Sequence, residues 1–229
     1  MLYIVATPIG NLKDISLRAL EVLKSVDLIA CEDTRETRKL LSHYEIHVPL
    51  LSYYDHNEEA RLEPLLKQLR DGKNIALVSD AGVPVFQDPG YFLTRAIIKE
   101  DLPFTVIPGP TAAITALVLS GLPPDSFIFE GYLPPKSGQR QRKLRRLSSE
   151  RRTVIFYESP HRLLSSLKDI LEVLGDIPVV VVREMTKKFE EVTRKNVSEQ
   201  MSYFEKKKPK GEFVILFNLK ALGQKEDSS

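Results

Sequence analysis

Val78-Ser79-Asp80-Ala81-Gly82-Val83-Pro84-Val85-Phe86-Gln87-Asp88-Pro89-Gly90 is the stretch on which the reading of the fold turns. It follows a short apolar run, Ile75 to Val78, and precedes an amphipathic segment, Tyr91 to Lys99. That order predicts a loop leaving the carboxyl end of a strand and feeding a helix, the position at which open α/β sheets bind ligands. Its glycines and prolines fix backbone shapes that most residues avoid. Asp80 and Asp88 stand where a ribose or a charged group could be held. The loop is neither Gly-x-Gly-x-x-Gly nor a P-loop, so a dinucleotide or ATP is not the first expectation.

Outward from this loop, apolar runs alternate with amphipathic stretches. The first half predicts strands at Leu2–Ala6, Leu28–Cys31, Pro49–Tyr53, Ile75–Val78 and Phe104–Ile107. Helices are expected at Ser16–Lys24, Thr34–His43, Glu58–Arg70 and Gly90–Lys99, with Ser16 and Asn57 as N-caps and Asp71-Gly72 as a stop. Such alternation implies βαβ units and a mainly parallel sheet. A small apolar helix, Thr111 to Leu119, leads to Gly121-Leu122-Pro123-Pro124, which marks a domain boundary after residue 120.

The second half predicts strands at Phe127–Tyr132, Thr153–Tyr157, Val179–Val182, Glu191–Lys195 and Phe213–Asn218, with helices at Gln139–Leu147, His161–Leu174 and Ser198–Glu205. Val182 to Lys195 reads as two strands joined by a short turn, so this sheet should be mixed. The expected fold class is α/β, with one domain over 1–120 and another over 121–229, and the polar end from Gly223 should fray.

At 229 residues with 42% hydrophobic and 28% charged side chains, the chain can bury a real core. Its longest apolar-rich stretch, Ala112 to Leu122, is too short to span a bilayer. The N-terminus reads as a strand rather than a targeting segment, and the lone Cys31 cannot form an internal disulfide. A cytoplasmic location without membrane attachment is the expectation. The four histidines and Cys31 lack metal-binding spacing, and no nucleophile elbow occurs, so no metal site is expected.

Charge is uneven despite a net +2. Lys136, Arg140, Arg142, Lys143, Arg145, Arg146, Arg151 and Arg152 crowd residues 136–152, and Lys206-Lys207-Lys208-Pro209-Lys210 forms a second run. Composition alone leaves a solvated face and a phosphate-binding surface equally open.

Further motifs close several strands: Thr-Pro-Ile-Gly-Asn-Leu from Thr7, Cys-Glu-Asp-Thr-Arg from Cys31, Pro-Gly-Pro-Thr-Ala from Pro108, and Phe-Glu-Gly-Tyr-Leu-Pro from Phe129. Phe-Tyr-Glu-Ser-Pro-His-Arg from Phe156, Arg-Glu-Met-Thr-Lys-Lys from Arg183 and Lys-Gly-Glu-Phe-Val from Lys210 complete the set. Each alone is ordinary loop punctuation. Together and in this order, from Leu2 to about Leu219, they resemble the bacterial 16S ribosomal RNA cytidine 2′-O-methyltransferases of the tetrapyrrole (corrin/porphyrin) methylase superfamily.

The resemblance implies a homodimer binding S-adenosylmethionine in a cleft between two α/β domains. Carried onto this sequence, cofactor contacts fall at Pro8, Asp80, Ala81, Gly82, Val83, Thr111, Ala112, Tyr157 and Met185. The implied partner is 16S ribosomal RNA or the small ribosomal subunit, not DNA. In that setting Arg140, Arg142, Lys143, Arg145 and Arg146 become RNA-contact candidates, and Tyr53, Tyr54 and His56 are candidates to stack on a splayed base. Glu184 and Lys187 are the favoured acid–base pair, ahead of Asp33, Arg35 and His56.

The sequence departs from the family pattern at Val83, where threonine is usual, and at Lys195, where glycine is usual and the turn is expected to differ. It also stops soon after its last strand, which bears on RNA contact. A tetrapyrrole C-methyltransferase, or a non-catalytic RNA-binding assembly factor, would share much of this pattern.

Overall fold

A computed structural model describes residues 1–220. The tail expected to fray, from Gly223, lies outside them. The chain divides into two compact units, Met1–Thr111 and Ala112 onward.

The first unit runs β1 (Leu2–Val5), α1 (Leu17–Ser25), β2 (Leu28–Cys31), α2 (Thr34–His43), β3 (Leu50–Ser52), α3 (Glu58–Arg70), β4 (Ile75–Val78), α4 (Tyr91–Lys99) and β5 (Phe104–Ile107). All five strands are parallel, in the order β3-β2-β4-β1-β5. Side-chain alternation sorts this sheet into two cores. Val5, Ile29, Cys31, Ala76 and Val78 meet Ala19 and Leu23 of α1 and Leu40 and Leu41 of α2. On the opposite face Leu2, Ile4, Ala30, Ile75 and Leu77 meet Leu65, Leu66 and Leu69 of α3 and Leu93 and Ile97 of α4. Burial on both faces explains why these four-residue strands are continuously apolar. Each fully buried Leu or Ile contributes about 1.5–3 kcal/mol.

Ser16 caps α1 as expected, its hydroxyl accepting from Ala19 N at 3.1 Å. Asn57 stands at the start of α3 but does not cap it. Its side chain instead accepts from Tyr54 N (2.9 Å) and donates to Ser52 O (3.1 Å), closing the turn after β3.

The second unit runs α5 (Ala112–Ser120), β6 (Phe127–Tyr132), α6 (Ser137–Leu147), β7 (Thr153–Glu158), α7 (Leu163–Leu174), β8 (Pro178–Arg183), β9 (Glu191–Asn196), α8 (Val197–Lys207) and β10 (Phe213–Phe217). Its sheet is ordered β6-β7-β10-β8-β9 and is mixed: β6 and β7 are parallel, and the other neighbours antiparallel. Helices α6, α7 and α8 cover one face through Leu144, Leu147, Leu163, Leu167, Ile170, Val197 and Phe204.

Helix α5 packs against β7, β8, β9 and β10. It buries Ala113, Ala116, Leu117 and Ser120 and so belongs to the second unit, although the Gly/Pro cluster lies at its far end. Lys195 is not in a turn: it pairs with Val179 within the β8–β9 ladder. The glycine usual at that position is therefore not required by the backbone here. No described helix is long and apolar enough to cross a membrane.

Candidate active site

In the first unit every strand is parallel, so the loops after β1, β2, β3, β4 and β5 emerge at one edge. The connections from β1 to β2 and from β2 to β3 run one way along the sheet. Those from β3 to β4 and from β4 to β5 run the other way. Neighbouring strands β2 and β4 thus send their onward chains in opposite directions. Their carboxyl ends form the topological switch point, where this architecture leaves a crevice.

The loop Ser79–Gly90 leaves β4 at that crevice and is tied to the loop after β1. Thr7 N donates to Gly82 O (2.8 Å), Gly82 N donates to Thr7 O (3.1 Å), and the Thr7 hydroxyl donates to Ser79 O (3.1 Å). Gly82 needs its φ of +87°, and a Cβ there would touch Ile9 and Pro110 O. Pro8, Gly82 and Pro110 are thereby gathered at one place.

Further along, Val85 and Gln87 hold φ values of +74° and +72°. A β-branched residue in that region is strained, and such strain concentrates where a binding loop is held in a required shape. Gly90 closes the loop at φ +128°, where a Cβ would lie 2.7 Å from Leu77 Cδ2 and 2.9 Å from Val85 Cγ2.

The crevice is acidic. Asp33 N donates to the Asp80 carboxylate at 3.2 Å. Burial pushes the Asp80 and Glu32 carboxyls up, and the neighbouring charges of Asp33 and Asp80 add to it. Asp88 is raised furthest, to about 6, by burial and then by the charge of Glu32, against an opposing hydrogen bond from Ser79. Asp33 is the exception: the Arg35 guanidinium and backbone N–H hold it at about 2. Such a cluster repels phosphate and favours a ligand that brings positive charge.

In the second unit, β7 and β8 both run antiparallel to β10, so their carboxyl ends share an edge, with Phe213 facing Glu158 on one side and Arg183 on the other. Tyr157 there packs edge-on to Phe129 (4.8 Å) and Tyr132 (5.7 Å). Met185 is buried and flanked by Glu184 and Thr186, both at positive φ.

The family profile of the Tetrapyrrole (Corrin/Porphyrin) Methylases matches residues 1–200. The chain belongs to the tetrapyrrole methylase family. It is 50% identical over 217 residues to the ribosomal RNA small subunit methyltransferase I of Thermotoga maritima, covering 95% of this chain and 97% of that one. It is 51% identical over 218 residues to the protein of that name from Escherichia coli O157:H7, covering 94% and 76%. Among solved structures it is similar to a cobalt precorrin-4 methyltransferase, with a TM-score of 0.68 and 20% identity over 94% of this chain and 93% of that one. At that identity the likeness concerns the fold.

In this methylase the favoured acid–base pair has another occupation. The Glu184 carboxylate accepts from Glu212 N (3.0 Å) and Lys187 Nζ (3.1 Å), while Lys187 also reaches Glu212 (3.0 Å). Burial pushes the Glu184 carboxyl up, but these donors outweigh it and leave the group below the usual range. A carboxylate so engaged is a weak proton acceptor and a good clamp for the turn that carries Met185.

The basic segment divides as well. Arg140 is buried rather than available to RNA. Its Nε pairs with Asp169 at 2.6 Å, and its other nitrogens donate to the carbonyls of Pro134, Pro135 and Ser165. Lys143 is ion-paired with Glu130. Arg142, Arg145 and Arg146 remain on the exposed side of α6. A helical period was the available signal: Arg140, Leu144 and Leu147 share one stripe, and all are buried.

Tyr53 is likewise a core residue rather than a stacking platform. It is 1% exposed, and its hydroxyl donates to Glu58 Oε1 at 2.9 Å. Tyr54 is exposed and packs edge-on to His56. The sequence reading paired Asp88 with Asp80 as a possible ligand-holding group, and only its environment sets the two apart. Glu58 carried no role in that reading, because its partners come from separate segments.

Proposed function

We propose that this methylase transfers a methyl group from S-adenosylmethionine to small-subunit ribosomal RNA, with a 2′-oxygen of a 16S cytidine as acceptor. Identity along nearly the whole chain to ribosomal RNA small subunit methyltransferases I carries the reading. The residues of the first unit fit the cofactor. Glu32, Asp80 and Asp88 crowd negative charge that a sulfonium and an ammonium group relieve.

The proposed contacts are Pro8, Asp80 to Val83 and Thr111 in the first unit, and Ala112, Tyr157 and Met185 in the second. When bound, the cofactor supplies an electrophilic methyl group. The strained Ser79–Gly90 loop fixes the orientation of backbone donors and acceptors before binding, which favours close positioning of reactants. Asp88, raised to about 6 in the ligand-free protein, is proposed as a charge partner of the cofactor. Glu184 and Lys187 act by holding the Met185 turn. Arg142, Arg145 and Arg146 are the proposed phosphate contacts of α6. A homodimer is proposed with them, and the exposed Tyr91, Phe92 and Ile98 of α4 offer it an apolar surface.

The test incubates the protein with methyl-labelled S-adenosylmethionine and either small ribosomal subunits or naked 16S RNA, followed by mass analysis of the labelled nucleoside. Label in 2′-O-methylcytidine is expected. Label on a base, or on a tetrapyrrole offered in parallel and not on RNA, would overturn the reading. Light scattering reports the dimer.

A further inference from the structure

Lys207 and Lys210 of the second lysine run meet the turn after β8 in one groove of about 640 Å³, lined among others by Arg183, Lys188 and Phe189. Its carboxylates are engaged within the protein. Glu184 binds Lys187 and Glu212 N, Glu191 binds Arg183, Lys207 and Tyr203, and Glu190 accepts from Thr186 N at 2.7 Å. Lys188, Lys206, Lys208 and Lys210 are exposed and make no ion pair with any described residue.

Phe189 lines the groove and is 65% exposed, with the Lys188 ammonium 5.7 Å from its ring centroid. The ring is not on a loose loop. Lys187 N donates to Glu184 O (3.1 Å), Glu190 N donates to Lys187 O (3.2 Å), and Glu184 and Thr186 are held at positive φ. A rigid turn that holds one aromatic face outward among uncommitted cations lowers the ordering cost of binding. It combines the two elements that grip single-stranded nucleic acid, a stacking platform and a basic track. One ring bordered by carboxylates is too small an apolar face to seat in a bilayer.

We infer that Phe189 stacks on an unpaired base of the RNA substrate while Lys188 and Lys210, which line the groove, hold the flanking phosphates and Lys206 and Lys208, exposed in the same run, extend the basic track. The choice of RNA as occupant rests on the proposed function. The turn that carries Met185 thereby also carries the RNA contact, so this short segment links methyl-donor site and acceptor strand.

The test is fluorescence anisotropy of a labelled single-stranded oligoribonucleotide with the full chain. Phe189→Ala should weaken binding about tenfold and Phe189→Trp should restore it, with circular dichroism unchanged. Replacing the lysines at 188, 206, 208 and 210 with alanine should lower the slope of log K against log salt by about 0.7 for each phosphate no longer neutralised. Phe189→Ala binding like the unaltered protein, or no RNA binding by the latter, would overturn the inference. So would Phe189-dependent binding to phosphatidylserine vesicles in place of RNA. If the unaltered protein binds RNA through Phe189 yet labels no ribosomal RNA, the groove stands and the proposed function fails.

Discussion

Gly211 lies against Glu184 so closely that a Cβ on Gly211 would come within 2.4 Å of the Glu184 Cδ and Oε1. Gly211 also holds φ +91°. The loop before β10 and the turn after β8 therefore fix one another, and the absence of a side chain at residue 211 is what lets Glu184 reach Glu212 N.

Gly211→Ala should lower stability by about 2 kcal/mol, through displaced Glu184 and strained backbone together. Urea unfolding measures it. Adding Glu184→Ala should recover part of the loss, because the clash is gone while the φ cost stays. Losses that simply add would show that Gly211 matters for its φ alone.

Arg140→Ala should cost about 3–5 kcal/mol, because it strands the Asp169 carboxylate inside the fold. Arg142→Ala, Arg145→Ala and Arg146→Ala should leave the unfolding free energy within about 0.5 kcal/mol and instead reduce the salt dependence of RNA binding. A shallow stability effect at Arg140 would contradict the buried pair.

Glu58→Ala should orphan two buried donors, the Tyr53 hydroxyl and Gly90 N, whose distances to Glu58 Oε1 are 2.9 and 2.6 Å. A loss of about 2–4 kcal/mol is expected. Cofactor affinity should fall with it, since Gly90 anchors the far end of the Ser79–Gly90 loop. Isothermal titration with S-adenosylmethionine reads this directly.

Asp88 gives a pH dependence with a definite sign. Its carboxyl is raised from 3.8 to about 6, so the folded state favours the protonated form. The resulting stability is fully present below about pH 4 and is lost as pH rises towards 6. Solvent screening at this partly buried site brings the expected change to about 1 kcal/mol. Asp88→Asn should flatten the unfolding free energy between pH 4 and 6. A cationic ligand reverses the preference, so the affinity for S-adenosylmethionine should rise from pH 5 to 7 in the unaltered protein and less in Asp88→Asn.

Much of this was legible in the chain. Periodicity places the strands and helices because burial on two sheet faces demands short, wholly apolar runs such as Ile75–Val78, and the mixed second sheet follows from the short β8–β9 turn. Side-chain commitments were not legible in the same way. Charge in a sequence does not reveal its partner: Arg140 reads as one of a basic series until Asp169, far along the chain, is packed against it. Asn57 reads as a cap until the turn after β3 claims its side chain.

The loop Ser79–Gly90 marks the same division. Its glycines, prolines and position after a strand are local properties, and they announce a ligand-binding turn by themselves. That it stands at the β2/β4 switch point follows only from the order β3-β2-β4-β1-β5, which strand pairing decides. Its strain at Val85 and Gln87 and the raised Asp88 are likewise tertiary. The bond between Thr7 and Gly82 and the approach of Glu32 bring distant segments together, and only their proximity sets backbone shape and local charge.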